Sequence, residues 1–405
     1  MDLVKRFLKY VSFDTQSDDN SKETPSTSKQ LLLGKYLVNE LKSIGCKDVL
    51  LDQYGIVYAS IPSNSNEKLP SIGLIAHMDT SPDCSGTNIK PRVINKYDGS
   101  DIILNESTIM TVSDFPSLKD NIGEDLIVTD GTTLLGADDK AGIAIIVETA
   151  YRIINDKNIK HGDIKIAFTP DEEVGRGTEN FDVKFFNCDF AYTLDGGDIN
   201  TIEYENFNAA SALVNISGIN IHPGSAKNKM VNAILLAKEF DDLLPSDEIP
   251  SKTEMYEGFH HLCDISGDVE NTKLFYIIRN HDYETLKKQM NDFNIAAKTI
   301  NEKYNGEFVN VTLKENYKNM KEVILANPHV LSKVTDAYDT LNIPYKFMPI
   351  RGGTDGANLS FMGLPCPNLG TGGYGFHGPY EHICEESMET VVKILVEILS
   401  NPIDI

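Results

Sequence analysis

The sequence predicts an α/β protein: a mainly parallel sheet flanked by helices, with a smaller α+β unit of ferredoxin-like plan inserted into it. Three observations carry this. Short apolar runs alternate with helix-periodic stretches as far as Leu194. From Ala209 the order becomes strand, helix, strand, strand, helix, strand. Near Lys321 the first pattern returns. A chain of 405 residues exceeds one ordinary core, so two domains are expected: residues 1–208 with 322–405, and residues 209–321.

The elements follow in order. Leu3, Val4, Phe7, Leu8 and Val11 have the spacing of an amphipathic helix, and a second helix is expected over Lys29–Ile44. Strands follow near Val49–Asp52 and Gly55–Ile61. Ser71–Ala76 is a short apolar run, the mark of a strand buried on both faces. Ser81–Asn121 is long, polar and poorly periodic, which inside a domain points to function rather than framework. Gly142–Ile154 predicts a buried helix, and Ile164–Phe168 and Ala191–Leu194 two more strands. In the inserted unit, strands at Ser211–Ser217, Leu262–Gly267, Lys273–Ile278 and Phe308–Leu313 enclose helices at Val231–Leu244 and Leu286–Tyr304. Asn327 followed by Pro328 signals a helix start, and a last helix is expected near Glu389–Leu399.

Hydrophobic residues make up 41% of the chain, enough for folded cores, and the net charge is −23. That charge argues against nucleic acid and against an anionic membrane surface as partners. No apolar run is long enough to span a bilayer, and Met1–Gln16 has no uninterrupted apolar core of a signal peptide. Six cysteines without a C-x-x-C pair suit reduced thiols, so a cytoplasmic protein is expected.

The chemistry is expected where the strands end. His77 and Asp79 directly follow Ser71–Ala76; Asp171, Glu172 and Glu173 follow Ile164–Phe168; Asp195 follows Ala191–Leu194. Asp138 and Asp139 lie just before the buried helix. In open α/β sheets, ligands bind at the carboxyl ends of strands, so these groups should converge at one edge. Converging carboxylates repel unless cations neutralise them, and imidazole with carboxylate suits zinc and neighbouring first-row metals. Two such ions, roughly 3.5–4 Å apart, activate a water and polarise a carbonyl together, and an unligated carboxylate nearby serves as general base.

These residues stand in the stretches HMDTSPDCSG (His77–Gly86), TTLLGADDKAGIA (Thr132–Ala144), GDIKIAFTPDEEVGRG (Gly162–Gly177), AYTLDGG (Ala191–Gly197), HPGSAKNKMVNA (His222–Ala233) and PIRGGTDGANLSFMGLPCPNLGTGGYGFHG (Pro349–Gly378). With them the chain resembles the co-catalytic metallopeptidase family that includes carboxypeptidases, dipeptidases and amino-acid deacylases, nearest to its aminopeptidases that act on tripeptides. The resemblance implies a zinc-peptidase-like catalytic domain with an inserted lid or dimerisation domain. It implies two divalent metal ions per subunit, zinc first, cobalt or manganese as alternatives. His77 and Asp195 would ligate one ion, Glu173 and His377 the other, and Asp138 would bridge both. Glu172 would be the general base and Asp79 would orient the His77 ring. His222 would donate to the developing oxyanion, and Arg279 and Arg351 would hold the peptide carboxylate. On an extended segment the adjacent Glu172 and Glu173 would point in opposite directions and so serve different roles. The Asp138–Asp139 peptide would be cis.

The expected activity is release of the N-terminal residue from tripeptides by attack of a metal-activated water on the first peptide bond. A dipeptidase, carboxypeptidase or N-acyl amino acid deacylase of the same chemistry is the alternative. Partners are then short peptides, mainly tripeptides, and a second copy of the chain in a homodimer. One departure stands out. Many members of the family carry a histidine three residues after the last ligand; here Tyr380 fills that place and His382 follows two residues later.

Overall fold

Ile72–His77 is buried along its whole length, as a strand covered on both faces must be. The computed structural model, which describes residues 1–400, places it inside an eight-stranded sheet. It pairs in parallel with Ile164–Thr169 on one side and Phe190–Gly196 on the other. Asn368–Gly370 continues the sheet, parallel to Phe190–Gly196, and Thr201–Glu203 pairs in parallel with Lys346–Phe347. Antiparallel pairs occur at one margin, where Lys47–Leu51 and Val57–Ile61 run against their neighbours, and between Thr201–Glu203 and Asn368–Gly370. The sheet is therefore mainly parallel at its centre, with reversed strands outside it.

Helices cover this sheet because their apolar stripes match it. Leu3–Val11 buries Leu3, Phe7, Tyr10 and Val11, and Asp2 caps it by accepting from Lys5 N at 2.9 Å. Arg6 is also buried there, paired with Glu40 and Glu148, which apolar spacing does not foresee. Ala137–Asn155 is buried almost all round, consistent with a helix packed between other helices and the sheet. Glu385–Ser400 packs on the same core through Val391, Val392, Leu395 and Ile398.

The polar stretch after Ser81 is more ordered than its sequence suggests. Its strands are only two or three residues long, too short to show a period: Arg92–Ile94, Ile102–Ile103 and Ile109–Met110. Arg92–Ile94 joins a small sheet with Leu126–Val128, His382–Cys384 and Gly373–Tyr374. Tyr97, Leu104, Met110 and Leu118 form a separate small core with Leu126 and Cys384. Framework and not only function thus explains this segment.

The contacts divide the chain into two compact units: Met1–Tyr204, Lys321–Met348 and Thr354 onward form the first, and Glu205–Met320 with Pro349–Gly353 form the second. The sequence leaves 349–353 with the first unit. In the structure Ile350 N donates to Glu205 O at 2.9 Å, and the Arg351 side chain binds carbonyls of the 253–257 loop, so the segment groups with the second.

The second unit has an antiparallel sheet in the order Phe259–Gly267, Asn271–Asn280, Asn208–Ser217, Val309–Tyr317. Helices Ala233–Asp242 and Tyr283–Tyr304 pack on it through a core that includes Leu236, Phe240, Phe293 and Ile300. The central Asn271–Asn280 strand alternates buried and more exposed residues, as one covered face requires. This is the ferredoxin-like plan.

Candidate active site

His77 is the last residue of Ile72–His77, and Asp195 lies one residue before the end of Phe190–Gly196. Both arrive at the carboxyl edge of the parallel strands. Beyond Ile164–Thr169 the chain turns sharply at Asp171, which holds a left-handed φ of 57°. The Asp171 carboxylate accepts from Ser26 N at 2.7 Å and Gln30 Nε2 at 2.7 Å, and these bonds over-determine the turn. Glu172–Val174 then forms a single 3-10 turn. The two glutamates are not on an extended segment, so their divergence comes from the roughly 120° step of that helix rather than from a pleat.

Asp79 holds the turn in place. Its carboxylate accepts from Glu172 N at 3.0 Å and Glu173 N at 3.1 Å, and it lies 3.3 Å from His77 Nδ1. It is wholly buried. One side chain thus fixes both the ring of His77 and the backbone of the two glutamates.

Asp138 faces two imidazoles with two different oxygens. His77 Nε2 is 2.9 Å from its Oδ1, and His377 Nε2 is 3.3 Å from its Oδ2. His377 Nε2 also lies 3.0 Å from Glu173 Oε2, and His77 Nε2 lies 3.5 Å from Asp195 Oδ1. The Asp138–Asp139 peptide is cis. Donor atoms of His77, Asp138 and Glu173 lie within 4.8 Å of one another, as do those of His77, Glu172 and Asp195. The donor chemistry fits divalent metal: imidazole nitrogen and carboxylate oxygen only. Glu173 Oε1 supplies a further sign, since it is buried and has no hydrogen-bond partner among the described residues. A cation would satisfy it.

The electrostatics show how much the cluster lacks positive charge. Burial opposes charge on His77, but Asp195 and the bonds to Asp138 and Asp79 raise its pKa well above the ordinary imidazole value. Bonds to Asp138 and Glu173 push His377 up to about 11. Burial raises Asp195 to about 7 against the pull of His77. Burial, then the charge of Asp195, lifts Glu172 well above the usual carboxylate range. Protons are held where cations belong.

A metal ligand must be neutral imidazole, so binding must expel those protons. The raised folded-state values mean that protons compete through neutral pH and lose as pH rises. Apparent metal affinity is expected to keep increasing as pH rises from about 6 toward about 11, the value to which His377 is raised. Calorimetry in buffers of different ionisation heat checks this. Equal affinity across that range, with no proton released, would rule it out.

The remaining residues assigned from the sequence lie in the second unit. His222 is exposed on a 3-10 turn, its Nδ1 accepting from Gly224 N at 3.1 Å. Arg279 uses one terminal nitrogen on Ala210 O and Ile278 O and stacks over Tyr317. Arg351 is more committed. Its Nη1 donates to Met255 O and Glu257 O, and its Nη2 to Thr253 O and Thr253 Oγ1. Its guanidinium also lies over Phe207 and Phe259. All four terminal N–H groups are thus engaged by the 253–257 loop.

Sequence reasoning named Asp139 without a role of its own and missed Asp355 and Asp83. Asp139 accepts from His77 N at 3.1 Å and Gly142 N at 3.2 Å, so it is the buried partner of Asp138 rather than a second ligand. Asp355 is buried, accepts from Thr169 Oγ1 at 2.8 Å and abuts Gly177, where any Cβ would collide with its carboxylate. Asp83 Oδ2 lies 3.3 Å from His377 Nδ1. Tyr380 stacks near Phe115 at 4.8 Å, and His382 is buried beside Tyr374, with Nδ1 2.8 Å from Tyr380 O. The departure noted at these two positions thus builds a wall rather than a ligand.

The model of peptidase family M20/M25/M40 matches residues 133–401. The chain is 55% identical over 395 residues to a protein named Peptidase T from Clostridium perfringens, covering 98% of this chain and 97% of that one. The chain belongs to peptidase family M20/M25/M40. A Peptidase T from Caldanaerobacter subterraneus is 51% identical over 399 residues, 98% of each chain. Among solved structures, an aminopeptidase PepT from Bacillus cereus superposes with a TM-score of 0.76 at 24% identity, covering 98% of this chain and 97% of that one. A tripeptidase from Staphylococcus aureus gives 0.78 at 24% identity with the same coverage. As an M20/M25/M40 member the chain is a hydrolase of peptide bonds, and no helix among its described residues is long and apolar enough to cross a membrane.

Proposed function

We propose that this peptidase releases the N-terminal residue of tripeptides, using two divalent ions held by His77, Asp138, Glu173, Asp195 and His377. The observation that carries the reading is Asp138, whose two oxygens face His77 and His377 separately, as a ligand shared by two ions must. Zinc fits the donor set best, with cobalt or manganese as alternatives. When bound, such ions polarise a carbonyl and acidify a water. Glu172 would accept the proton from that water; burial and then the charge of Asp195 raise its proton affinity above that of an ordinary carboxylate. Asp79 keeps the His77 ring in register and holds the glutamate turn. The acidic cluster favours the cationic amine of a peptide.

The substrate contacts assigned to His222 and Arg279 rest on the resemblance. Acetylating the N-terminus of a good tripeptide is expected to abolish most of the rate. Amidating the other end should lower kcat/KM by about 10- to 150-fold, the loss of one charge-assisted bond. The two comparisons are made on the same tripeptide. Faster cleavage of the acetylated peptide would point instead to the deacylases of this family. Free thiols at all six cysteines and the acidic charge support a cytoplasmic location, and a homodimer stays part of the reading.

A further inference from the structure

Glu381 is 1% exposed and lies four residues beyond His377. A carboxylate this deep needs partners, and its partners are backbone. Oε2 accepts from Leu135 N at 2.6 Å and Gly136 N at 2.8 Å; Oε1 accepts from Asp138 N at 2.9 Å. The helix Ala137–Asn155 starts at Gly136, which has no side chain to cap it. Glu381 reaches this segment from the far end of the sequence and takes N–H groups on both sides of Ala137, ahead of the regular helix, since Asp138 and Asp139 hold non-helical backbone angles. Two of its partners precede Asp138 and the third is Asp138 itself.

From this geometry we infer that Glu381 is a positioning residue for the metal centre, joining the Asp138 segment to the His377 segment so that one bridging carboxylate meets both imidazoles. The inference rests on the two-metal reading above. The Glu381 carboxylate binds backbone N–H groups and not the side chains assigned as ligands. It clamps the peptide units that aim Asp138, and the short link Glu381–His377 carries that alignment to the other ligand. Its neighbours reinforce the link: Tyr380 packs on Phe115, and His382 enters the strand beside Leu126–Val128. The chain thus alternates anchor, clamp, anchor over three residues.

A glutamine at this position keeps the size but turns one acceptor into a donor, which then faces a backbone N–H. Glu381→Gln is expected to weaken binding of added Zn2+ or Co2+ by about 10- to 100-fold, the usual effect of losing a partner behind the ligands. The visible spectrum of the cobalt-loaded protein should change, and kcat should fall with KM within about two-fold, as expected when the loss is in the transition state. Glu381→Asp keeps both oxygens and should restore part of the affinity. A merely structural role would lower thermal stability without moving metal affinity or spectrum. Wild-type affinity and spectrum in a folded Glu381→Gln protein would overturn the inference. If that variant does not fold, hydrogen exchange on the metal-free wild type decides: the amides of Leu135, Gly136 and Asp138 should already be protected, and free exchange there would overturn it. A wild type that binds fewer than two ions would instead count against the two-metal reading, so the two failures are distinguishable.

Discussion

Replacing Glu172 by alanine is expected to lower kcat by about 10²–10⁴-fold while bound metal stays near the wild-type level. The reason is its place. Its carboxylate reaches the His77–Asp195 side of the cluster, and burial lifts its pKa, so a proton accepted there is held. A base contributes to the transition state and little to holding an ion. Glu173 differs although it is adjacent and chemically identical. It meets His377 at 3.0 Å through one oxygen, and the other is buried without a partner. Glu173→Ala should therefore lose metal, and its activity should partly return at high metal concentration. Metal content and kcat, measured for both variants over a series of metal concentrations, check the pair. If Glu172→Ala lost its metal while Glu173→Ala kept it, the roles would be exchanged.

Asp138→Ala is expected to lose both ions together. Each oxygen of Asp138 faces a different imidazole, so no other side chain can take over either half of its task without leaving its own place. Removal also leaves the other carboxylates crowded with less to hold an ion between them. Elemental analysis of the purified variant, against Asp195→Ala as a one-sided control, checks this. Two ions at full occupancy in Asp138→Ala would end the bridging assignment. Retention of one ion would make it a ligand of a single site.

Much of the centre was legible because strand ends are legible. The runs before His77, Glu172 and Asp195 are short and mostly apolar, and a parallel sheet carries their carboxyl ends to one edge. Side-chain alternation likewise exposed the ferredoxin-like plan of the second unit. Segments with two- or three-residue strands gave no period, and the region around Arg92–Ile94 therefore read as loop.

By itself, then, the sequence determined the α/β class, the inserted unit and the acid and imidazole side chains available for a metal centre. These depend on local periodicity and residue chemistry, which neighbours in the chain reveal. Only the tertiary structure decided what each polar group spends its hydrogen bonds on. Arg351 carries the right chemistry for a carboxylate, yet its terminal N–H groups are spent on the 253–257 loop. Glu381 looks like one more acid near a histidine, yet it binds the backbone N–H groups of a segment more than two hundred residues earlier. The physical reason is common to both. A buried donor or acceptor must be satisfied, but which distant backbone satisfies it depends on how the sheets and helices pack.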